Sequence, residues 1–166
     1  MRPAGVLIPC VLSLLTTDVA TGQVPDAVAI QRVAISAAVA RAPFGVVTRP
    51  RIAIDPFFAH DTTAPLMTGR AARDTADQRL LTELLGAFTA AAREILVCKE
   101  GHCAMTAADV LVTLSAPAIN GTDATVTTTL TMVRVNGRLY YETVQWTLHH
   151  VGNVWQVVGQ TQLAVS

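Results

Sequence analysis

Apolar and polar positions alternate with a period of two from Val110 onward, which is the pattern of β-strands. Turn residues interrupt the alternation at Asn120-Gly121, Asn136-Gly137 and Gly152-Asn153 and divide it into four segments. Consecutive strands that are joined by short turns usually pair with each other. The pattern therefore predicts a four-stranded antiparallel meander.

The turn at Asn136-Gly137 sets the register of the two long central strands. A two-residue loop there would pair Thr127 with Trp146, whereas a three-residue loop with Gly137 in the left-handed region pairs Val126 with Trp146. We expect the three-residue loop, because a slip of one residue turns the apolar set of a strand to the wrong face. The pairs that it predicts are Val126–Trp146, Thr128–Val144 and Met132–Tyr140.

The same register divides the meander into two faces. At the Gly152-Asn153 turn it places Leu148 beside Trp155 and Trp146 beside Val157. The apolar face, on which the helices should pack, collects Val126, Leu130, Met132, Tyr140, Val144, Trp146, Leu148, Trp155, Val157 and Leu163. The face expected to be solvated carries Thr125, Thr127, Thr129, Thr131, Thr143, Gln145, Thr147, Gln156, Gln160 and Gln162.

The first half of the chain has helical periodicity in two places. One helix should begin with Asp26 as its N-cap and end before Pro43, and a second should begin at Asp74 or Thr75 with an apolar stripe that runs to Phe88. Gly86 could end this second helix or only weaken it, so the segment through Val97 is either a further helix or a continuation. Between them, residues 51–55 alternate like a short edge strand, and residues 56–73 form a long loop. The predicted fold class is α+β, with helices packed on one face of a curved four-stranded antiparallel meander and an extra short edge strand.

The start of the chain matches a secretory signal peptide. Met1-Arg2 supplies the positive region, residues 5–15 the apolar region, and Ala20-Thr21-Gly22 the small-residue cleavage site. We predict cleavage after Gly22, which leaves one domain, residues 23–166, exported to the periplasm or secreted without a stable membrane span. The alternatives are an ordinary buried helix and lipid attachment at Cys10, although Pro9 departs from the lipobox pattern.

Charge argues against one class of partner. The chain has 12 basic residues, Lys and Arg together, and 12 acidic residues, Asp and Glu together. The arginines of residues 49–79 are interleaved with aspartates. A nucleic-acid binder needs a basic stripe that neutralises phosphates. Nucleic acid is therefore not an expected partner.

Removal of the leader would leave two cysteines, Cys98 and Cys103. An even number of thiols in an oxidising compartment predicts a disulfide, here one that closes a six-residue loop. A redox pair and a zinc site with His102 are the alternatives, but the spacing is wider than Cys-x-x-Cys and no fourth zinc ligand is apparent. We predict no metal site and no cofactor.

Glu142 is the candidate for acid or base chemistry, because the predicted register places it on the apolar face between Leu130 and Thr161. Tyr140, Trp146 and Trp155 would line a pocket beside it. The alternative is an ion pair with Arg134 or with an arginine of residues 49–73. A second candidate is the His60-Asp61 couple in the long loop, as a general base.

The order of elements resembles the nuclear transport factor 2-like (cystatin-like) superfamily: a helix, an early short strand, a further helix and long strands that end in Gly152-Asn153-Val154-Trp155. The resemblance implies a cone in which a curved sheet and helices enclose a pocket. Some members use that pocket as an enzyme site and others only for binding or dimerisation. No active-site pattern of that superfamily maps onto this chain.

Three functions remain open from the sequence. The first is a non-catalytic exported module that binds a small molecule or a protein. The second is a small pocket enzyme, a hydrolase or isomerase that uses Glu142 or His60 as general acid or base. The third is a homodimerisation module that uses an exposed part of the sheet.

Overall fold

A computed structural model of the chain describes residues 26–43, 49–58 and 71–166. The predicted signal peptide, residues 1–22, lies outside these residues, as does the His60-Asp61 couple. The described residues form three helices and ten strands. In chain order these are α1 (Asp26–Arg41), β1 (Ile52–Phe58), β2 (Ala71–Ala72), α2 (Thr75–Leu85), β3 (Phe88–Thr89), α3 (Ala92–Ile95), β4 (Leu96–Lys99), β5 (His102–Met105), β6 (Val110–Leu114), β7 (Ala118–Asn120), β8 (Asp123–Val133), β9 (Leu139–Val151) and β10 (Val154–Val165).

The sheet contradicts the predicted fold class. Eight strands form one mixed sheet with the order β10-β9-β8-β6-β1-β2, in which β3 also pairs with β1 and β7 with β8. β1 runs parallel to both β6 and β3. The prediction of a four-stranded antiparallel meander is wrong because a parallel partner is reached through a long crossover, which leaves no turn signal in the sequence. The strand predicted at residues 51–55 is present as β1, but its placement at an edge is wrong, since β1 has neighbours on both sides.

The register of β8 and β9 is confirmed. Val126 pairs with Trp146, Thr128 with Val144 and Met132 with Tyr140. Gly137 has a φ of 75°, as the three-residue loop requires. The alternation of apolar side chains was sufficient to fix these pairs because one face of the two strands is buried.

The register of β10 differs from the prediction. Val154 pairs with Val151 across a two-residue turn, so Trp155 lies opposite His150, and Val157 opposite Leu148. The predicted pairs Leu148–Trp155 and Trp146–Val157 are therefore wrong by two residues. Beyond the turn, β-bulges at Val158 and Leu163 shift the register twice more. Val157, which precedes the first bulge, and Leu163, which is the unpaired residue of the second, were predicted to be buried but are exposed.

The apolar face carries the main core. Eight of its ten predicted members are buried: Val126, Leu130, Met132, Tyr140, Val144, Trp146, Leu148 and Trp155. α1 covers them with Val28, Ile30, Ala34, Ile35 and Ala38, and α2 adds Leu81. The tight packing of α1 against β8 and β9 positions its last residue, Arg41, over the sheet.

α2 begins and ends where local signals place its limits. The Asp74 side chain accepts hydrogen bonds from the backbone N–H groups of Ala76 and Asp77, which is an N-cap. Gly86 follows the helix with a φ of 61°, a left-handed conformation that favours glycine. The predicted stripe was too long, because Phe88 lies beyond this cap in β3.

The threonine face is not the solvated surface that was predicted. Thr127, Thr129, Thr131 and Thr143 are buried. A second apolar cluster, formed by Ala90, Ile95 and Ala108, covers Ala53 and Leu111 on this side, and Thr131 pairs with Leu111. The hydroxyl oxygens of Thr129 and Thr143 lie 2.9 Å apart and satisfy each other. Gln145, Thr147 and Gln156 are exposed on this face, as predicted. Gln160 and Gln162 are also exposed, but the bulge at Val158 places them opposite Trp146 and Val144, so their predicted face is wrong.

The predicted disulfide is confirmed. Cys98 and Cys103 pair directly across the β4–β5 hairpin, with an S–S distance of 2.03 Å. The backbone N–H of Cys103 donates to the carbonyl of Gly137 at 2.7 Å and attaches the hairpin to the β8–β9 turn. The bridge closes only a short loop, so it stabilises by about 2 kcal/mol at most.

Candidate functional site

The predicted pocket residues fall into two groups. Tyr140, Glu142 and Trp146 occupy alternate positions of β9 and lie under α1 in the main core. Trp155 lies on the same face but near the start of β10, where it contacts the first residue of α1. The structure therefore does not bring the four residues into one pocket.

Glu142 is held in an ion pair. Arg41 Nη2 donates to Glu142 Oε1 at 2.8 Å, and the Tyr140 hydroxyl donates to Oε2 at 3.4 Å. The side chain of Glu142 is 8% exposed and that of Arg41 34%. The position opposite Leu130 is confirmed, but Val165 and not Thr161 is the neighbour in β10.

The ionic partner of Glu142 was predicted among the wrong arginines. The prediction named Arg134 or an arginine of residues 49–73, whereas the partner is Arg41, at the end of α1. Arg134 instead lies over the ring of Tyr140, with its Cζ 4.9 Å from the ring centre. Which arginine pairs with Glu142 depends on how α1 crosses the sheet, and the local sequence pattern does not determine that crossing.

The surroundings of Tyr140 change its acidity. Burial raises the pKa of the Tyr140 hydroxyl above its ordinary value of 10.0, and the negative charge of Glu142 raises it further. Arg134 and Arg41 oppose this shift in part. The hydroxyl is therefore a hydrogen-bond donor to Glu142 throughout the physiological pH range.

Alkaline titration should detect this shift. The chain has two tyrosines, and we expect the pKa of one of them, Tyr140, to lie above its ordinary value of 10.0 because of burial and the charge of Glu142. The folded state holds this proton more tightly than the unfolded state, so the stabilisation is present below pH 10 and is lost as the pH rises through the raised pKa. Ultraviolet difference absorbance measures the titration. Tyr140→Phe should remove the part of the absorbance change that appears at the higher pH, and Tyr141→Phe should retain it. If that part of the change survives in Tyr140→Phe, this interpretation is contradicted.

An open cleft lies between the start of α1 and the β9–β10 turn. Its volume is about 270 Å³, and its lining residues are Asp26, Ala29, Arg32, Val33, His150, Asn153, Val154 and Trp155. α1 supplies one wall because it begins at Asp26, and the two-residue turn brings the other wall back over it. The cleft is thus built by two elements that lie far apart in the sequence.

Trp155 organises the cleft. Its indole Nε1 donates to Asp26 Oδ1 at 3.1 Å, and its ring lies 4.9 Å from that of His150, centre to centre. Asp26 was predicted only as a helix cap and His150 only as the end of a strand. The only signal in the sequence was that both residues are polar, because the contact between Asp26 and Trp155 joins positions 129 residues apart.

The cleft has the chemistry of a binding site. Arg32 and Asn153 can donate hydrogen bonds to an anionic or carbonyl group, and Asp26 and His150 add an acceptor and an imidazole. Ala29, Val33 and Val154 add apolar wall. The described lining residues include no serine, threonine or cysteine that could act as a nucleophile.

A buried arginine and a buried aspartate lie at the other end of the sheet. Arg73 and Asp55 are both buried, and burial lowers the pKa of the Arg73 guanidinium to about 10, an effect that Asp55 opposes. Arg73 Nη2 donates to the carbonyl of Phe57 at 3.4 Å, and its Cζ lies 4.9 Å from the ring centre of Phe58. These contacts join β1 to the residue that follows β2.

Residues 26–43, 49–58 and 71–166 contain no group of three or more His, Cys, Asp or Glu side chains that is arranged to hold a metal ion. No helix in the same ranges is both long and apolar enough to cross a membrane. His149 pairs with Asp123 at 2.8 Å, whereas His150 contacts Trp155, so the adjacent histidines have different environments.

No protein-family model, curated protein or solved structure matches this chain.

Proposed function

We propose that this chain is an exported, non-catalytic binding domain, and that its site is the cleft between α1 and the β9–β10 turn. The observation that carries the proposal is the cleft itself, in which charged, aromatic and apolar side chains converge on open space beside Trp155. Its ligand would be a small molecule or a short segment of another protein.

The state of Glu142 supports a binding function over the alternative of a pocket enzyme. A general acid or base must come within hydrogen-bond reach of its substrate. Both oxygens of Glu142 already have donors, and the side chain is nearly sealed by α1. These contacts are those of a structural carboxylate.

The size and lining of the cleft support a small amphipathic ligand. A volume of about 270 Å³ lies near the lower end of ligand sites. Arg32 favours a carboxylate or carbonyl oxygen, and the wall of Ala29 and Val33 favours an apolar body next to it. A short peptide with an apolar side chain and a free carboxylate has this chemistry.

Two broader expectations remain proposals. The Cys98–Cys103 disulfide is compatible with export, because disulfides persist in oxidising compartments. The resemblance to the nuclear transport factor 2-like superfamily stays a proposal that rests on the order of elements in the sequence.

The two indole N–H groups allow a direct test. The chain has two tryptophans, so an amide and indole NMR spectrum should contain one indole signal from the cleft and one from the core. Titration with short peptides that are blocked at the N-terminus and carry a free C-terminal carboxylate should shift the Trp155 signal and leave that of Trp146 unchanged.

Adjacent histidines provide a matched pair of variants for this titration. His150→Ala removes the ring that lies against Trp155 and should weaken peptide binding about tenfold or more. His149→Ala removes only the exposed contact with Asp123 and should leave the affinity unchanged. Peptides that shift the Trp146 signal first, or that bind both variants equally well, would contradict the proposed site.

A further inference from the structure

The chain contains two Asn-Gly dipeptides, and both lie in turns of the large sheet. Asn120-Gly121 leads from β7 into β8, and Asn136-Gly137 lies in the loop between β8 and β9. Both asparagines are exposed, and a β-branched residue precedes each of them, Ile119 in one turn and Val135 in the other. Neither local sequence nor exposure therefore distinguishes the two asparagines.

An Asn-Gly pair can modify itself, because glycine has no side chain to shield its backbone nitrogen. That nitrogen attacks the side-chain carbon Cγ of the asparagine. The new N–Cγ bond forms, the bond between Cγ and Nδ2 breaks, and Nδ2 leaves as ammonia with the proton that the attacking N–H has lost. Water then opens the cyclic imide at either carbonyl and gives aspartate or isoaspartate. Water is the only co-reactant.

Hydrogen bonds hold both reacting groups of Asn136-Gly137. The backbone N–H of Gly137 donates to the carbonyl of Arg134 at 2.8 Å. The side-chain oxygen of Asn136 accepts from the backbone N–H of Arg138 at 3.1 Å. Attack at Asn136 therefore requires that both bonds break first.

The space around the two glycines also differs. A Cβ atom added to Gly137 would lie 3.0 Å from Nδ1 of His102, and the Gly137 carbonyl accepts from the backbone N–H of Cys103 at 2.7 Å. The disulfide-bonded β4–β5 hairpin thus packs against this turn. A Cβ atom added to Gly121 would meet nothing within 4 Å. The backbone of Gly121 is free to move towards the side chain of Asn120.

The reacting groups of Asn120-Gly121 are not held. In the part of the chain that the structure describes, the Asn120 side chain and the Gly121 N–H make no hydrogen bond. The carbonyl of Thr122 accepts from the backbone N–H of His150 at 2.8 Å, but this bond involves neither reacting group. β7 is only three residues long, is exposed throughout and pairs with β8 alone, so it can open locally.

We propose that Asn120 is a site of spontaneous deamidation in the folded protein, and that the fold protects Asn136 from the same reaction. The product changes the β7–β8 turn. Asn120 pairs with Asp123 across the two strands, so the new carboxylate lies opposite an existing one, and like charges in that position destabilise the pairing. An isoaspartate also lengthens the backbone, which disturbs the register of β7. The proposal does not depend on the function of the cleft.

Peptide mass spectrometry of the folded full chain tests the proposal. The protein is incubated in mildly alkaline buffer, samples are digested over time, and the conversion of amide to acid is measured in the peptides that contain Asn120 and Asn136. Asn120 should react at least about tenfold faster, because attack at Asn136 must first break two hydrogen bonds. Reversed-phase chromatography should separate aspartyl and isoaspartyl forms of the Asn120 peptide.

Two controls separate the effect of the fold from that of the sequence. In urea, where the turns are lost, Asn120 and Asn136 should react at similar rates. Asn120→Gln lengthens the side chain, so it should abolish the reaction in the first peptide and leave the Asn136 peptide unchanged. Equal rates at the two asparagines in the folded chain would overturn the proposal, as would an Asn120 that stays unmodified. A preference for Asn120 that persists in urea would show that the fold is not its cause, and would overturn it equally.

Discussion

Replacement of Arg41 by methionine is expected to lower the free energy of unfolding by about 2–3 kcal/mol. The change removes the closest partner of Glu142 and leaves a carboxylate that is 8% exposed with only the long hydrogen bond from Tyr140. Loss of one partner of a fully buried pair costs more, but a third of the Arg41 side chain is exposed and water screens part of the interaction. Urea unfolding followed by circular dichroism measures the effect.

Two further variants separate the ion pair from general packing effects. Arg134→Met removes the arginine that lies over the Tyr140 ring, and because the Arg134 side chain is exposed it should cost less than about 1 kcal/mol. Adding Glu142→Leu to Arg41→Met should recover most of the lost stability, since no buried charge is then left unpaired. An Arg41→Met chain as stable as the unmodified protein would show that Glu142 does not depend on this pair.

Trp146→Ala should cost about 3–5 kcal/mol, which is a large part of the stability of a typical domain. Trp146 is only 2% exposed and is the largest of the fully buried side chains. Its indole Nε1 also donates to Thr128 Oγ1 at 2.8 Å in the core. The alanine variant would therefore lose apolar contacts, leave a cavity and leave a buried hydroxyl without its donor. Thermal unfolding by calorimetry measures the change.

A milder pair of substitutions isolates the hydrogen bond. Trp146→Phe should destabilise by about 1–3 kcal/mol, in part because the Thr128 hydroxyl loses its partner. Thr128→Val in the same chain should restore some of that stability, because both polar groups are then absent. Strictly additive costs for Trp146→Phe and Thr128→Val would contradict the assignment of this buried hydrogen bond.

The predictions from the sequence succeeded where local patterns carry the information. The alternation in β8 and β9 fixed the inward direction of Trp146 and the position of Glu142 beside Leu130. The cysteine spacing indicated a bridge, and it closes a hairpin. In each case the contacts join residues that are close in sequence or related by one turn, so periodicity and turn chemistry determine them.

Contacts between distant segments could not be predicted in the same way. The parallel pairing of β1 with β6 joins strands separated by a long crossover, and it made the predicted meander wrong. The second apolar cluster covers the threonine face with small side chains such as Ala90 and Ala108, which have no helical or strand periodicity of their own. The bulge at Val158 has no turn signal, so the change of face beyond it was missed.

In the candidate site, too, local features could be predicted and contacts between distant segments could not. The alternation of side chains along β9 correctly placed Glu142 on the apolar face. Its partner Arg41 lies in α1, and only the tertiary structure identifies it. The cleft depends on a hydrogen bond between Asp26 and Trp155, at opposite ends of the described chain. The proposed roles of the leader and of His60-Asp61 stay predictions, because these residues lie outside the described ranges.

Proton exchange at the two indole N–H groups tests most directly whether the core beneath Glu142 is closed and binding takes place outside it. After transfer of the protein to deuterated water, the Trp146 indole signal should persist long after that of Trp155 has disappeared. Trp146 is enclosed by the core and Trp155 borders the cleft, so the first should exchange only through large-scale unfolding. If Trp146 exchanged as fast as Trp155, an open pocket beside Glu142 would be indicated, and the account given above would be contradicted.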